Sequence, residues 1–286
     1  MSYRIITDTC CDFPTGMYAE QNLAVVPLCV NYKGQTVNSY SEEWLKDMFA
    51  GLRAGESAST SAANPQDWQE IIEPVLMGGE DALVLTFSSG LSTTYQSAVI
   101  AAGELKEKYP DRKVNVVDTL CASLGQGLLV WYACKKRDAG FSLEDLTAWC
   151  EENKFHLCHW FTVDDLMYLK RGGRISAATA LVGTMLQIKP VLHVDNEGHL
   201  INVGKARGRK ASIDALVKKM TEQALPGEND TVFICHGDCM EDAKYLEAQV
   251  KEKCGVKDVF IYYVGAVIGS HSGPGTLALF YIGSER

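Results

Sequence analysis

One stretch decides most of what this chain can fold into. Ala82-Leu83-Val84-Leu85-Thr86-Phe87 is a short apolar run of the kind that forms a strand buried in a parallel sheet. Ser88-Ser89-Gly90-Leu91-Ser92-Thr93-Thr94-Tyr95-Gln96-Ser97-Ala98 follows at once, and Val99-Ile100-Ala101-Ala102-Gly103-Glu104-Leu105-Lys106 has helical composition and spacing. The order is strand, hydroxyl-rich turn, helix. In an open α/β sheet, ligands bind in the crevice outside the carboxyl ends of the strands. Unpaired N–H groups and the positive end of the helix dipole point into that crevice, so the expected guest is an anion. Serine and threonine hydroxyls add neutral donors there. The turn therefore reads as the carboxylate- or phosphate-holding end of a binding site. A plainer role fits too, because Thr93-Thr94-Tyr95-Gln96 has the form of a capping box.

The first half of the chain builds a sheet around that unit. Residues 3–8 predict a first strand ending at Asp8, followed by the turn Thr9-Cys10-Cys11-Asp12-Phe13-Pro14. Residues 24–32 predict a second strand, placed at an edge by Pro27. Ser41 can cap a helix that begins with Glu42 and Glu43. In Ser59-Thr60-Ser61-Ala62-Ala63-Asn64-Pro65, Asn64 fits an N-cap and Pro65 a first helical residue, which puts Thr60 and Ser61 in a second hydroxyl-bearing turn or a simple surface loop. A strand over 113–118 and helices over about 121–138 and 142–153 complete an alternation that means a doubly wound parallel sheet.

The texture changes after Phe155–Thr162. Leu166–Arg171 predicts a short helix ended by Gly172 and Gly173, and Ser176 opens a further helix of small and apolar residues. Lys189–Val194 and His199–Arg207 read as a hairpin around Asp195-Asn196-Glu197-Gly198. Helix, strand, helix and strand fill 209–263. The expected fold class is α/β, with an N-terminal doubly wound domain over 1–158 and a second, mixed-sheet α/β domain over 159–286. Two features of this half stand out. Lys205, Arg207 and Arg209 would share one face of a strand, which is either a functional basic face or an edge strand blunted by charge. Ile268-Gly269-Ser270-His271-Ser272-Gly273-Pro274-Gly275 reads as a tight glycine-rich turn carrying one histidine.

Composition excludes several functions. A formal net charge of −9 argues against nucleic acid or an anionic membrane as partner. No apolar stretch reaches membrane-spanning length, and Tyr3-Arg4-Ile5-Ile6-Thr7-Asp8 enters a strand with no signal-peptide pattern, so the expected location is cytoplasmic. None of the 10 cysteines forms a C-x-x-C pair. His156-Leu157-Cys158-His159 and Cys235-His236-x-x-Cys239 lack zinc-finger spacing, so buried structural thiols, with no metal and no cofactor, are expected.

Several of these segments together resemble the DegV family of bacterial fatty-acid-binding proteins. They are Ile5-Ile6-Thr7-Asp8, Thr60-Ser61 with Pro65, Ser88–Ala98, Leu169-Lys170-Arg171-Gly172-Gly173-Arg174-Ile175-Ser176, Lys189-Pro190 with Lys205-x-Arg207, and Ile268–Gly275. The resemblance implies a long-chain fatty acid buried between two domains, its carboxylate held by Thr60 and Ser92 with His271 close by. Ser61 and Thr93 belong to the same two turns and are included in the expected site. The resemblance also implies an acyl carrier that presents its ligand to a fatty acid kinase, with Arg174 and Arg207 near the partner surface. The chain departs from the family pattern at Thr93, where glycine is usual, and in carrying Ala62-Ala63-Asn64 before Pro65.

The physics suits such a ligand. Burying an acyl chain gains about 0.8 kcal/mol per methylene, while the desolvated carboxylate needs partners that hydroxyls, helix N-termini and a protonatable histidine can supply. Leu181, Val182, Met185, Leu186 and Ile188 are either tail contacts or ordinary core. Two other functions use the same residues. A serine acyl hydrolase would take Ser92 as nucleophile and His271 as base, but Gly90-Leu91-Ser92-Thr93-Thr94 lacks the second glycine of a G-x-S-x-G elbow. A phosphate or nucleotide site would suit the turn, but neither G-x-x-x-x-G-K-[ST] nor G-x-G-x-x-G is present.

Overall fold

The computed structural model describes residues 2–176 and 187–286. The chain starts with β1 (Tyr3–Asp8), a 3-10 turn at Thr9–Cys11, α1 (Thr15–Glu20) and β2 (Leu23–Val26). The strand expected over 24–32 is two strands. Pro27, which has no N–H to give a ladder, separates β2 from β3 (Cys29–Tyr32), and the two lie in different sheets. Next come β4 (Gln35–Val37), α2 (Glu42–Arg53), β5 (Ala58–Ser61), α3 (Pro65–Met77), β6 (Asp81–Thr86), α4 (Thr94–Lys108), β7 (Val114–Asp118), α5 (Leu124–Asp138) and α6 (Leu143–Asn153). The expected caps form. Ser41 accepts from the Trp44 N–H, Ser142 from the Asp145 N–H, and Asn64 makes a capping box with Asp67 ahead of Pro65.

β2, β1, β6 and β7 form an all-parallel sheet in that order. All six residues of β6 are buried, which requires cover on both faces and explains its unbroken apolar run. β4, β3 and β5 form a separate antiparallel sheet that the alternation of strands and helices did not foretell. Thr60 and Ser61 therefore lie on a strand rather than in a turn, with Thr60 opposite Val30.

The second half contains β8 (Leu157–Thr162), α7 (Met167–Arg171), β9 (Ile188–Val194), β10 (Leu200–Arg207), α8 (Arg209–Gln223), β11 (Thr231–His236), α9 (Met240–Cys254), β12 (Asp258–Tyr263), α10 (Ala266–Ser272) and β13 (Leu277–Ile282). Its six strands run in the order β10-β9-β8-β13-β11-β12, with β11–β12 the parallel pair and the others antiparallel. The expected mixed sheet and the β9–β10 hairpin are both present. The expected division at 158/159 falls within β8. Two local expectations give way: Ile268–Ser272 is helical rather than a turn, and Arg209 starts α8 instead of continuing the β10 face, where it pairs with Asp242 at 2.8 Å.

One face of the mixed sheet packs on α8 and α9 through Trp160, Leu216, Val217, Ile234, Leu246 and Leu279. The other face turns to the parallel-sheet half, and α5 fills the join, against the Thr9–Cys11 turn on one side and β8, β11 and β13 on the other. The approach is close. A Cβ on Gly125 would lie 2.1 Å from His159 Nε2, and one on Gly127 would lie 2.7 Å from the Cys11 carbonyl oxygen. Phe87, Leu91, Phe161, Val194, Val267 and Phe280 belong to the core shared across this join.

Candidate functional site

The turn between β6 and α4 is held by two carboxylates at the ends of neighbouring strands. Asp8, closing β1, accepts from the Phe87 N–H at 2.7 Å and the Cys10 N–H at 2.9 Å. Asp118, closing β7, accepts from the N–H groups of Ser89 and Leu120, each at 3.1 Å. Ser88 is fully buried and donates to the Gly198 carbonyl at 2.9 Å, tying the tip of the β9–β10 hairpin to the turn. A Cβ on Gly90 would meet backbone atoms of Glu197 and Gly198 at 2.8 Å, so glycine is required where these two loops touch. The capping box expected at Thr93 does not form. Thr93 makes no side-chain cap bond, and Ser92 Oγ instead accepts from the Thr94 N–H at 3.3 Å and lies 2.8 Å from Thr94 Oγ1.

Outside this turn lies a cavity of about 460 Å³, within the range that encloses a small-molecule ligand. Its wall is largely apolar, with Leu28, Phe87, Phe161, Val194, Leu200 and Phe280 among the lining residues. Polar groups gather where β5, α4 and α10 meet. Thr60 Oγ1 lies 2.8 Å from His271 Nε2, and Ser92, Thr93 and Arg174 line the same cavity. Thr60, Arg174 and His271 also border an adjoining outer pocket of about 330 Å³, which Tyr168 and Arg171 share.

Arg174 brings a positive charge to this end. Arg174 is half-buried, and its guanidinium donates to the carbonyls of Leu91, at 3.0 and 3.2 Å, and of Gly172. Among the described residues it meets no carboxylate. Burial, and then the neighbouring Arg174 charge, push the His271 pKa down to about 4, so the imidazole is neutral near pH 7. A histidine that can protonate beside a ligand carboxylate was expected here. An arriving carboxylate would offset the Arg174 charge and favour the imidazolium.

The same burial acts elsewhere, with both signs. His193 and His236 are pushed to about 4 and His159 well below its usual value, each mainly by desolvation. Unfolding lets these groups and His271 take up protons below about 6.5, so their contribution to stability is present above that pH and is lost as the pH falls toward 4. Burial raises Asp8 to about 6 and Asp12 to about 7, which works the other way over the same range, because the folded state holds those protons. Four histidines outweigh two aspartates.

Of the residues expected in the site, Thr60, Ser92, Thr93 and His271 converge on the cavity. Ser61 is exposed and points off the other side of β5, while Thr60 and Ala62 line the wall. Arg174, expected on a partner-facing surface, lines both the cavity and the outer pocket, and Arg207 is exposed on β10. Ile188 is half-buried and off the cavity wall, and Leu181, Val182, Met185 and Leu186 lie outside the described residues. The supporting roles of Asp8 and Asp118 were missed. Their signal was a carboxylate closing an apolar strand, twice. All ten cysteines are free, and no group of three or more metal-ligating side chains occurs among the described residues.

The family model described as "Uncharacterised protein, DegV family" matches residues 2–284. A DegV domain-containing protein of Clostridium perfringens is 44% identical over 291 residues, covering 99% of this chain and 98% of the relative. Among solved structures, a DegV lipid-binding protein of Thermotoga maritima is 30% identical with a TM-score of 0.86, covering 100% of both chains. A DegV family protein of Thermus thermophilus, whose structure is described as showing fatty acid binding, is 33% identical with a TM-score of 0.87 and covers 99% of this chain and 100% of that one. The two-domain α/β architecture matches these structures. The chain belongs to the DegV family.

Proposed function

We propose that this member of the DegV family binds one long-chain fatty acid between its two α/β domains, divided near 158/159, with the carboxylate at Thr60, Ser92 and His271 and the acyl chain in the apolar cavity. The observation that carries this is the Thr60–His271 pair at 2.8 Å, set with Ser92 and the Arg174 guanidinium on the wall of a largely apolar cavity. Each buried methylene is worth about 0.8 kcal/mol. The carboxylate, costly to desolvate alone, meets two hydroxyls, a guanidinium and the open N–H groups of the first turn of α4. Thr93 adds a side chain beside the head group, and Ser61 supports the strand from its outer side. The fatty-acid-binding and lipid-binding descriptions of relatives at 30–33% identity support the same ligand.

The protein acts as a carrier rather than a hydrolase. Ser92 Oγ is paired with Thr94, and His271 Nε2 with Thr60, so neither is set up as a nucleophile and its base. A fatty acid kinase is the proposed partner, approaching by the outer pocket with the exposed Arg207 as a docking contact. Ten free thiols suit the reducing cytoplasm, and no helix among the described residues is long and apolar enough to cross a membrane. The deciding experiment is denaturing extraction and mass spectrometry of small molecules from protein purified without added lipid. A stoichiometric long-chain fatty acid is expected; a phosphorylated metabolite in its place would turn the site into a phosphate site.

A further inference from the structure

Besides the Thr60–His271 pair, the cavity wall carries Ser123 and His159, which lie close together because the Ala122 N–H reaches His159 Nε2. Ser123 precedes α5. Its Oγ donates to the buried carboxylate of Asp12 and lies 3.3 Å from Cys235 Sγ, another cavity residue. The backbone at Ser123 has φ 54° and ψ −145°, a conformation in which glycine is at home and a serine is strained. His159 is buried, and its Nδ1 lies 2.8 Å from the Leu157 carbonyl, which places the proton on Nδ1 and leaves Nε2 an acceptor. Burial pushes its pKa well down, so the ring stays neutral. Among the described residues Nε2 is engaged only by the Ala122 N–H, at a long 3.4 Å.

His159 Nε2 therefore presents an acceptor lone pair, and so does Ser123 Oγ while Asp12 is ionised, above about pH 7, where the Ser123 proton is committed to that carboxylate. A saturated hydrocarbon lying across them would leave two buried acceptors dry, which costs binding energy. Strand register gives their distance from Thr276, whose Oγ1 donates to the Gly273 carbonyl two residues past His271. Thr276, on the cavity wall just past α10, is four residues from Phe280, which pairs with His159 across β13 and β8. At about 3.4 Å per residue the Ser123–His159 pair sits roughly 14 Å along the wall from Thr276.

Resting on the fatty acid reading above, we propose that the cavity is built for a fatty acid carrying a hydroxyl part-way along its chain, which donates to Ser123 Oγ and His159 Nε2. The ligand class is hydroxy fatty acids, and the group recognised is a donor, so an oxo group at the same carbon would not be favoured. The test is calorimetric titration of delipidated full-length protein with stearic acid, with hydroxystearic acids substituted near the carboxyl, at mid-chain and near the methyl end, and with the mid-chain oxostearic acid. The wild type should bind one of the hydroxystearic acids substituted beyond the carboxyl region about three- to tenfold more tightly than stearic acid, the gain of one or two hydrogen bonds. It should show no such gain with the oxo compound. Ser123→Ala and Ser123→Gly should bring the ratio of the two affinities toward one, and the glycine variant keeps the test open if alanine is not tolerated at this backbone. Equal affinity for stearic and all hydroxystearic acids, or a preference unchanged in both variants, overturns the proposal and leaves fatty acid binding standing. Failure of every compound to bind overturns both.

Discussion

Thr60→Val separates the chemistry of the head-group end from its architecture. Valine keeps the β-branched shape that β5 pairs against Val30 and removes one hydroxyl, so the fold should lose no more than about 0.5 kcal/mol. The hydroxyl lies 2.8 Å from His271 Nε2 and faces the cavity. In the complex it would donate to a desolvated carboxylate, and such a charge-assisted bond is worth about 1.5–3 kcal/mol. Fatty acid affinity should therefore fall roughly ten- to a hundredfold. Ser92→Ala should act on the same carboxylate, so the double variant should lose less than the two single losses added together. The assay is displacement of a fluorescent fatty acid from delipidated protein, with thermal melting run in parallel. A Kd for Thr60→Val within twofold of wild type, with melting unchanged, would remove Thr60 from the carboxylate site and with it the central claim about this cavity.

Four further outcomes are expected. Acidification from pH 7 to pH 5 should lower the melting temperature of the ligand-free protein, because the depressed histidines outweigh the raised Asp8 and Asp12; a higher melting temperature at pH 5 would reverse that balance. Arg174→Met should raise the His271 pKa in the empty site, since the neighbouring charge helps to depress it, and weaken fatty acid binding; a histidine NMR titration that does not move would contradict the first part. Gly90→Ala should cost about 1–3 kcal/mol of stability, because its Cβ meets hairpin backbone at 2.8 Å, and should speed ligand release, read by stopped-flow, since Val194 and Leu200 of that hairpin line the cavity. Arg207→Ala should retain bound lipid while phosphorylation by a partner kinase falls, and loss of the lipid itself would move Arg207 from the surface into the site.

How far the sequence could be read depended on whether the decisive contacts were local. The β6 run, the caps at Ser41, Asn64 and Ser142, and the β9–β10 hairpin are set by residues within a few positions of one another, and all form as the pattern predicts. Misjudged elements answer to distant partners. Thr60 lies on a strand because β5 pairs with β3, which Pro27 had already freed from the parallel sheet, and no local signal announces that pairing. Thr93 has the sequence of a cap, yet Ser92 supplies the bond and leaves Thr93 at the cavity. His271 was legible as a singular histidine among glycines, but not its neutral state, which comes from burial and from Arg174, 97 positions earlier in the chain. Arg174 was expected near a partner surface because of the family resemblance alone. Its guanidinium meets backbone carbonyls and, among the described residues, no carboxylate within ion-pair distance, at the wall of an apolar cavity. A half-buried charge is costly without a counter-ion, and a ligand carboxylate would offset that cost.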